Sequence, residues 1–228
     1  MRYDFIVKGI FLSRPNRFIA HVDICGVETV VHVKNTGRCR ELLVPGSTVY
    51  LQDCGERSPT RKTRYDLVAV EKGDLLINMD AQAPNKVFAG WAQAGGFVED
   101  LTLLRPETKW GSSRFDFYWE AGERRGFVEV KGVTLEDCGH ARFPDAPTER
   151  GVKHLRELIL AREAGYETAV CFVLQMKGMR SMSPNDETHP EFGMALREAA
   201  QVGVQVLAME CTVTPDTLEI SGPVPVCL

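Results

Sequence analysis

Three residues on two neighbouring predicted strands have the types and spacing of a metal-dependent phosphodiester-cleaving site. Asp116 lies in the alternating segment 113–120, and Glu129 and Lys131 lie in the segment 126–134. Mg²⁺ in proteins usually takes one or two carboxylates, with water and substrate phosphate completing its coordination. Such an ion can activate a water, and a nearby ammonium can stabilise the charged transition state. Asp116, Glu129 and Lys131 are therefore candidate catalytic residues, and the two acids are candidate ligands for Mg²⁺ or Mn²⁺.

The predicted hairpin brings the two acids together. A polar turn at residues 121–124 separates the strands, and symmetric closure about it puts Asp116 directly opposite Glu129. Their Cβ atoms would be about 5 Å apart, with Lys131 one pleat further on the same face. Opposed carboxylates destabilise a sheet unless a cation offsets them; the alternative is a solvated face with charged cross-strand pairs. The alternation assigns Phe115, Phe117 and Trp119 to one face and Arg114, Asp116 and Tyr118 to the other.

The hairpin is followed by a predicted amphipathic helix over residues 148–164, with Thr148 as its N-cap. One stripe of this helix is polar and consists of Arg150, Lys153, His154 and Glu157. Its basic residues Arg150, Lys153 and His154 are candidate nucleic-acid contacts beside the acids. The alternatives are a solvated helix face and, for His154, a hydrogen-bonded structural histidine.

The first third of the chain alternates as short strands do. Strand-like segments are predicted over residues 6–12, 18–24, 29–33, 48–51, 65–70 and 75–77. A short helical segment is predicted over residues 37–43. Five or six short strands and one small helix in fewer than 85 residues predict a small antiparallel barrel. The OB-fold is the best-known barrel of that size and often binds single-stranded nucleic acid, although another small barrel fits the pattern too. We assign residues 1–83 to this domain.

The periodicity changes near residues 81–84, where we place the boundary of a second domain. Its predicted helices cover residues 85–94, 148–164 and 190–202, and its predicted strands cover 101–105, 113–120, 126–134, 168–174 and 204–209. A loop rich in Gly, Asp and Pro is predicted over 136–147. The continuous apolar run at 168–174 is typical of a buried strand. This order predicts an α/β domain over residues 84–228.

Basic residues of the first domain form two candidate phosphate-binding groups. One group is the acid-free stretch 57–64, which contains Arg57, Arg61, Lys62 and Arg64. The other is Arg38 and Arg40, which follow Asn35-Thr36-Gly37 at the start of the predicted short helix. A hydroxyl, a glycine and arginines near a helix start suit a phosphate, and phosphate contacts give sequence-independent, salt-sensitive binding. The alternative is a solubilising loop.

Charge and cysteine content narrow the class of protein. The net charge of −4 is uneven, since residues 1–83 have 12 basic and 10 acidic residues and 84–228 have 15 and 21. A nucleic-acid site must therefore be a local patch. The seven cysteines show no C-x-x-C spacing, Cys138 and His140 are only a weak ligand pair, and the N-terminus has no apolar signal segment. We therefore expect a cytoplasmic protein with reduced thiols and no membrane span.

Six stretches, spread in order over nearly the whole chain, resemble the sugar fermentation stimulation protein A (SfsA) family. The resemblance implies an N-terminal OB-fold and a C-terminal PD-(D/E)XK nuclease-like domain whose motif is Asp116, Glu129 and Lys131. It also implies sequence-independent DNA binding and a regulatory role in sugar (maltose) metabolism. The stretches are Pro15-Asn-Arg-Phe-Ile-Ala, His32-Val-Lys-Asn-Thr-Gly-Arg, Arg61-Lys-Thr-Arg-Tyr-Asp-Leu-Val, Ser113-Arg-Phe-Asp-Phe, Val128-Glu-Val-Lys-Gly-Val-Thr-Leu and Phe143-Pro-Asp-Ala-Pro-Thr-Glu-Arg-Gly-Val-Lys-His-Leu-Arg-Glu-Leu.

Two positions depart from the nuclease pattern that the resemblance implies. Many such enzymes have an acid on the helix before the hairpin, whereas residues 85–94 contain no Asp or Glu. Glu107 or Glu136 could supply a third metal ligand instead. Gly132 follows the lysine where many relatives have Asn. The missing acid bears on turnover more than on metal binding.

Three functions therefore compete at this point. The first is a DNA-binding regulator whose nuclease-like fold holds a metal without cleaving. The second is an active Mg²⁺- or Mn²⁺-dependent nuclease. The third, weaker one is a module that binds a sugar or a nucleotide, for which calorimetry with maltose and mononucleotides should give no heat. The oligomeric state does not follow from the sequence.

Overall fold

The N-terminal strands close into a barrel. The computed structural model describes residues 1–35, 37–55 and 61–228, and all structural statements concern these residues. Alternating apolar residues give most of the barrel's strands one buried face, as expected for a closed barrel whose interior is filled by side chains, whereas residues 66–70 are all buried. The strands are β1 (Ile6–Asn16), β2 (Ile19–Ile24), β3 (Val27–Val33), β4 (Thr48–Asp53), β5 (Tyr65–Lys72) and β6 (Leu75–Asn78).

Closure of the barrel depends on one pairing that is distant in sequence. Neighbouring strands follow the order β3-β2-β1-β4-β5-β6, and a short parallel pairing of β3 with β5 joins the ends of a five-stranded barrel. The predicted OB-fold-like domain is therefore confirmed. The helix predicted over residues 37–43 is wrong, because this segment forms only a turn in which Leu43 N donates to Cys39 O. The left-handed backbone at Cys39, with φ of 44°, stops the turn from starting as a helix.

The C-terminal domain is a mixed sheet with helices on both faces. Its strand order is β15-β14-β12-β9-β8-β7, with β12 parallel to β9 and to β14. The α/β class predicted for this domain is confirmed. The main strands are β7 (Leu103–Trp110), β8 (Ser113–Ala121), β9 (Arg124–Val133), β12 (Glu167–Leu174), β14 (Gln205–Val213) and β15 (Leu218–Pro223).

Three helices cover this sheet, namely α1 (Ala83–Gln93), α2 (Glu149–Glu163) and α3 (Pro190–Gln201). Successive residues of β12 point to opposite faces, so Val170 and Phe172 pack on the side of α2 and α3, whereas Ala169 and Cys171 pack on the side of α1. Burial on both faces explains the continuous apolar run of this strand. None of the helices among the described residues is long and apolar enough to cross a membrane.

The loop predicted over residues 136–147 instead contains two short strands, β10 (Glu136–Asp137) and β11 (His140–Phe143). They form a small third sheet with β13 (Ser181–Pro184), because β11 pairs in parallel with β13 about forty residues later in the chain. A turn-rich sequence and a distant partner leave no local pattern from which these strands could be predicted.

The two domains share one apolar core, so the barrel and the sheet support each other. Barrel residues such as Phe11 and Leu67 belong to the same buried cluster as Phe172 of β12 and Leu155 of α2. Polar contacts add to this interface, including the donation from Gln175 Nε2 to Asn78 Oδ1 at 2.9 Å. The division predicted between residues 83 and 84 falls in the first turn of α1 and stays a prediction.

Close packing of β9 against β12 gives a direct test of the sheet. A Cβ added at Gly126 would lie 2.0 Å from the carbonyl oxygen of Glu167, a backbone atom that cannot rotate away. We expect Gly126→Ala to lower the free energy of unfolding by about 1–3 kcal/mol, measured by urea titration. Gly90→Ala is the control, because its Cβ meets nothing within 4 Å in α1, and it should raise stability by about 0.5–1 kcal/mol. Unchanged stability of Gly126→Ala would contradict this strand pairing.

Candidate active site and basic surfaces

The hairpin of β8 and β9 places Asp116 beside β9 where the strands separate. Ala121 pairs with Arg124 around a two-residue turn, and the ladder continues to Phe117 and Val128. Asp116 and Glu129 would be the next pair in this register, as the sequence predicted. The ladder ends one pair earlier, and Asp116 Oδ2 accepts a hydrogen bond from Val130 N at 2.8 Å instead. The aspartate side chain thus takes the place of a cross-strand backbone acceptor.

The strict alternation predicted for β8 is wrong at this point. Phe117 and Trp119 pack in the core under α1, but Phe115 packs on the other face of the sheet, with its ring 5.2 Å from that of Phe127. The end of the ladder at Phe117 allows the strand to twist, so the faces of residues 115 and 117 differ. This twist turns Asp116 toward α1, where Asn85 Nδ2 donates to Asp116 Oδ1 at 2.8 Å.

Glu129 is the most deeply buried acid of the candidate site, with 3% of its surface exposed. Its Oε1 accepts from Lys131 Nζ at 2.5 Å and from His154 Nδ1. Its Oε2 is buried and has no hydrogen-bond partner among the described residues. A buried carboxylate oxygen without a partner destabilises the folded protein unless a ligand binds to it.

His154 is 5% exposed, so its assignment to a solvent-facing basic stripe of α2 is wrong. The helix presents it to the sheet, where it holds Glu129, and its ring lies edge-on to Phe115 with centroids 6.3 Å apart. Arg150 Nε faces His154 Nε2 at 3.3 Å from the solvent side. The structural alternative considered for this histidine therefore matches its position better than direct nucleic-acid contact.

The local sequence of α2 fixes where these side chains point. Thr148 Oγ1 accepts from Gly151 N at 3.1 Å, so Thr148 is the N-cap as predicted. Lys153 Nζ donates to Ser112 O at 3.1 Å, which links the helix to the turn before β8. Arg150 and Lys153 are both exposed, in the first and second turns of the helix and next to the buried histidine.

The two acids have opposite electrostatic environments. Burial raises the pKa of Asp116, and the charge of Glu129 raises it further against the donors Val130 N and Asn85. Burial also acts to raise the pKa of Glu129, but the hydrogen bond from His154 and the charge of Lys131 outweigh it and lower the pKa. Glu129 is therefore held as a carboxylate, and Asp116 gains most from an added positive charge.

A divalent cation fits this donor set. The orphan Oε2 of Glu129 and the repelled carboxylate of Asp116 are hard oxygen ligands of the kind that Mg²⁺ and Mn²⁺ take. Neither acid proposed as a third ligand joins them: Glu107 pairs with Arg114 on the surface, and Glu136 Oε1 is bound by Lys72 Nζ at the domain interface. Water or a substrate phosphate would have to complete the coordination.

One contributor to the site was missed in the sequence. Asn85 lies in the first turn of α1, the helix that was searched for an acid, and its amide binds Asp116. The sequence signal for this contact is a polar residue in the first turn of α1, where an amide can serve as well as an acid.

The basic residues of the barrel divide into paired and unpaired groups. Arg61 is bound to Asp66 at 2.5 Å, and Arg64 is bound to Asp53 at 2.6 Å. Lys62 is exposed. Arg57, in the same stretch, and Thr36, in the segment before Arg38, lie outside the described residues.

Arg38 and Arg40 lie in a cleft of about 660 Å³ that we call the arginine cleft. Arg14 and Arg17 also line it, and no acid of the described residues does. The Arg14 guanidinium is used structurally, because it donates to four backbone carbonyls, whereas Arg17, Arg38 and Arg40 are exposed and form no ion pair within the described ranges. Between Arg38 and Arg40, burial raises the pKa of the Cys39 thiol to about 12, with Asp145 adding to the effect, so this cysteine is an inert part of the floor.

Comparison with known proteins identifies relatives along the whole chain. The family model described as the SfsA N-terminal OB domain matches residues 12–79, and that described as the sugar fermentation stimulation protein RE domain matches residues 82–217. A sugar fermentation stimulation protein homolog of Desulfitobacterium hafniense is 58% identical over 96% of this chain and 95% of its own. A homolog of Clostridium beijerinckii is 53% identical over all of both chains. The structure of Pyrococcus furiosus SfsA in complex with Ca²⁺ is 26% identical, with a TM-score of 0.89 over 100% of this chain and 98% of that one.

Opposite pKa shifts predict opposite effects of neutralising the two acids at pH 7 without divalent cations. Asp116→Asn should keep or raise stability, because it removes repulsion and the Asn85 amide can rotate to retain its bond. Glu129→Gln should lower the free energy of unfolding by about 1–3 kcal/mol, because it leaves Lys131 and His154 with a weaker buried partner. Urea titration measures both, with the exposed turn variant Glu123→Gln as a neutral control.

The pH dependence should follow the same signs. Because the folded pKa of Asp116 is raised, its stabilising contribution is full below the unfolded pKa and is lost as pH rises through the folded pKa. Because that of Glu129 is lowered, its contribution is present above the unfolded pKa and is lost as pH falls through the folded pKa. Equal losses of stability in both variants at pH 7 would show that the two acids do not differ in this way.

Proposed function

The chain belongs to the sugar fermentation stimulation protein (SfsA) family, and we propose that it binds DNA without sequence preference and holds Mg²⁺ or Mn²⁺ between Asp116 and Glu129. The observation that carries the metal part is the buried, partnerless Oε2 of Glu129 next to a second carboxylate. The Ca²⁺ in the structure of the Pyrococcus furiosus relative supports a hard-cation site in this family. Asp116 and Glu129 would supply the protein ligands.

Support for DNA binding comes from where positive charge remains unpaired. Phosphate contacts dominate affinity for DNA, and they need basic side chains that are not already paired with a carboxylate of the protein. Arg17, Arg38 and Arg40 meet this condition in an acid-free cleft of the barrel, and Arg150 and Lys153 are exposed next to the acids. Arg61 and Arg64 contribute less, because carboxylates of the same barrel already bind them.

The same residues explain why we expect DNA binding to be independent of base sequence. The unpaired guanidiniums lie on a barrel cleft and on one exposed helix face, and phosphate contacts carry no sequence information by themselves. The relatives are named for stimulation of sugar fermentation. Contact with DNA is the activity through which this chain would act on that metabolism.

Cleavage of DNA is the second candidate, favoured by the position of Lys131. Its ammonium is only partly exposed and lies against Glu129, two residues further along β9 from that acid. From there the ammonium can face a DNA phosphate that the exposed arginines bind, and it can neutralise the charge that develops on this phosphate during cleavage. A divalent cation bound there would supply an activated water. Among the described residues no third His, Cys, Asp or Glu groups with Asp116 and Glu129 as a metal-ligand cluster, which favours binding over turnover.

The DNA-binding proposal predicts a loss that depends on which arginines are removed. Arg38→Ala/Arg40→Ala should weaken binding to two unrelated sequences equally, as single strands and as duplexes. It should also reduce the salt dependence of log K by roughly 1.5 to 2, because two phosphate contacts are lost. Fluorescence anisotropy from low to moderate salt measures both quantities.

The matched control changes the same net charge at arginines that are already paired. Arg2→Ala/Arg197→Ala removes guanidiniums bound to Asp216 and Asp186, and it should leave affinity within about twofold of the wild type. Equal losses in the two double variants would reduce the effect to net charge and count against the arginine cleft.

The metal proposal predicts that Mn²⁺ binds to the wild type and at least about tenfold more weakly to Glu129→Gln, by isothermal titration. The same preparations are then incubated with single-stranded, duplex and branched DNA and Mn²⁺. Cutting that both Glu129→Gln and Lys131→Ala abolish would establish the second candidate. Cutting that survives both variants would point to a contaminant, and unchanged Mn²⁺ affinity in Glu129→Gln would contradict the proposed ligands.

A further inference from the structure

The arginine cleft has an apolar side that contact with duplex phosphates does not explain. Leu12, Leu43 and Pro45 line it together with the arginines. Phe18, which follows the cleft residue Arg17 in the chain, is 52% exposed, and the Arg17 guanidinium lies over its ring at 5.9 Å from the centroid. Exposed apolar and aromatic surface between cations is the composition of sites that stack unpaired bases while holding the backbone.

The size of the cleft points in the same direction. A volume of about 660 Å³ is that of a small-ligand pocket and accommodates one or two nucleotides. A duplex is a rigid rod with its bases stacked inside, so it would cover the mouth of such a cleft without filling it. A single strand can insert its bases, because nothing pairs with them.

The cleft is also connected to the candidate active site through α2. Ala146 lines the cleft, and the chain continues from it through Thr148 into α2, where Arg150 is exposed and His154 binds Glu129. A rise of 1.5 Å per helical residue and at most about 3.5 Å per extended residue put the cleft and Glu129 on the order of 15 Å apart along this path. That distance corresponds to a few nucleotides.

We infer that the arginine cleft binds a segment of single-stranded DNA, which continues past Arg150 and Lys153 to Asp116 and Glu129. This inference rests on the proposed function and names the form of DNA that the site takes. Phosphates of the strand contact Arg17, Arg38 and Arg40, and bases pack on Phe18 and on the apolar wall. Glu41 and Asp145 lie near Cys39 but pair with none of these arginines in the described structure.

The test compares an oligothymidylate, which cannot pair with itself, with a duplex of equal length in a fluorescence anisotropy titration. The wild type should bind the single strand at least about tenfold more tightly. Phe18→Ala should lower affinity for the single strand about tenfold and leave that for the duplex within about twofold. Phe18 is exposed, so the variant is expected to fold, and its thermal midpoint checks this.

Val27→Ala is the matched control, because Val27 is 63% exposed on the same barrel and, unlike the Phe18 ring, has no contact with an arginine that lines the cleft. It should leave both affinities unchanged. Equal affinity of the wild type for the two forms, or equal losses in Phe18→Ala and Val27→Ala, would overturn the inference while leaving sequence-independent DNA binding intact. No measurable binding of either form would instead overturn the proposed function itself.

Varying the length of the oligomer tests whether the bound strand continues along α2 to Asp116 and Glu129. Two thymidylates fit within the cleft, whereas ten reach beyond Arg150. Arg150→Ala/Lys153→Ala should therefore weaken binding of the ten-mer and leave the two-mer unchanged, while Arg38→Ala/Arg40→Ala should weaken both. An effect of Arg150→Ala/Lys153→Ala that does not depend on length would exclude a continuous path along α2.

Discussion

The contact on which the candidate site depends is that of the Glu129 carboxylate with Lys131 and His154. A buried carboxylate is unfavourable unless hydrogen bonds and opposite charge offset its desolvation. Here one oxygen receives both donors, and the other oxygen is left without one. The same contact joins β9 to α2, so it fixes where Arg150 and Lys153 emerge. The geometry of the acids and the placement of the exposed cations therefore have a common origin.

Asp116 shows the opposite balance and explains why the site is suited to a cation. Its donors are neutral, Asn85 and a backbone N–H, and the charge of Glu129 faces it. Such repulsion reduces the stability of the metal-free protein, and a bound divalent ion would remove it. Native proteins commonly carry local destabilisation of this kind at binding sites. The proposed cation would offset this repulsion between the acids.

The parts of the site that are local in sequence could be predicted. The turn at residues 121–124 was enough to predict the register that brings Asp116 next to Glu129, although the alternation predicted for β8 fails at Phe115. The face of His154 was not predictable with the same rule, because a helix stripe between an exposed and a buried face can turn either way until its partner is known. Asn85 and the strands β11 and β13 depend on contacts across at least 31 residues of chain, which periodicity does not report. The barrel was predictable as a class, whereas its closing pair of β3 and β5 needed the structure.

Ion pairs that form in the folded protein determine which basic residues remain unpaired, and therefore which surface can bind DNA. The stretch 57–64 has the densest run of cations in the first domain, yet Arg61 is held by Asp66, five residues on, and Arg64 is held by Asp53 of the neighbouring strand. Arg38 and Arg40 flank Cys39 in the sequence, folding brings Arg17 to them, and no acid of the described residues lines the cleft. Only the basic side chains that remain unpaired in the folded protein contribute strongly to binding a polyanion, because a guanidinium already bound to a carboxylate gains little from a phosphate. A chain with a net charge of −4 can therefore present a surface for DNA where its sequence is only mildly basic.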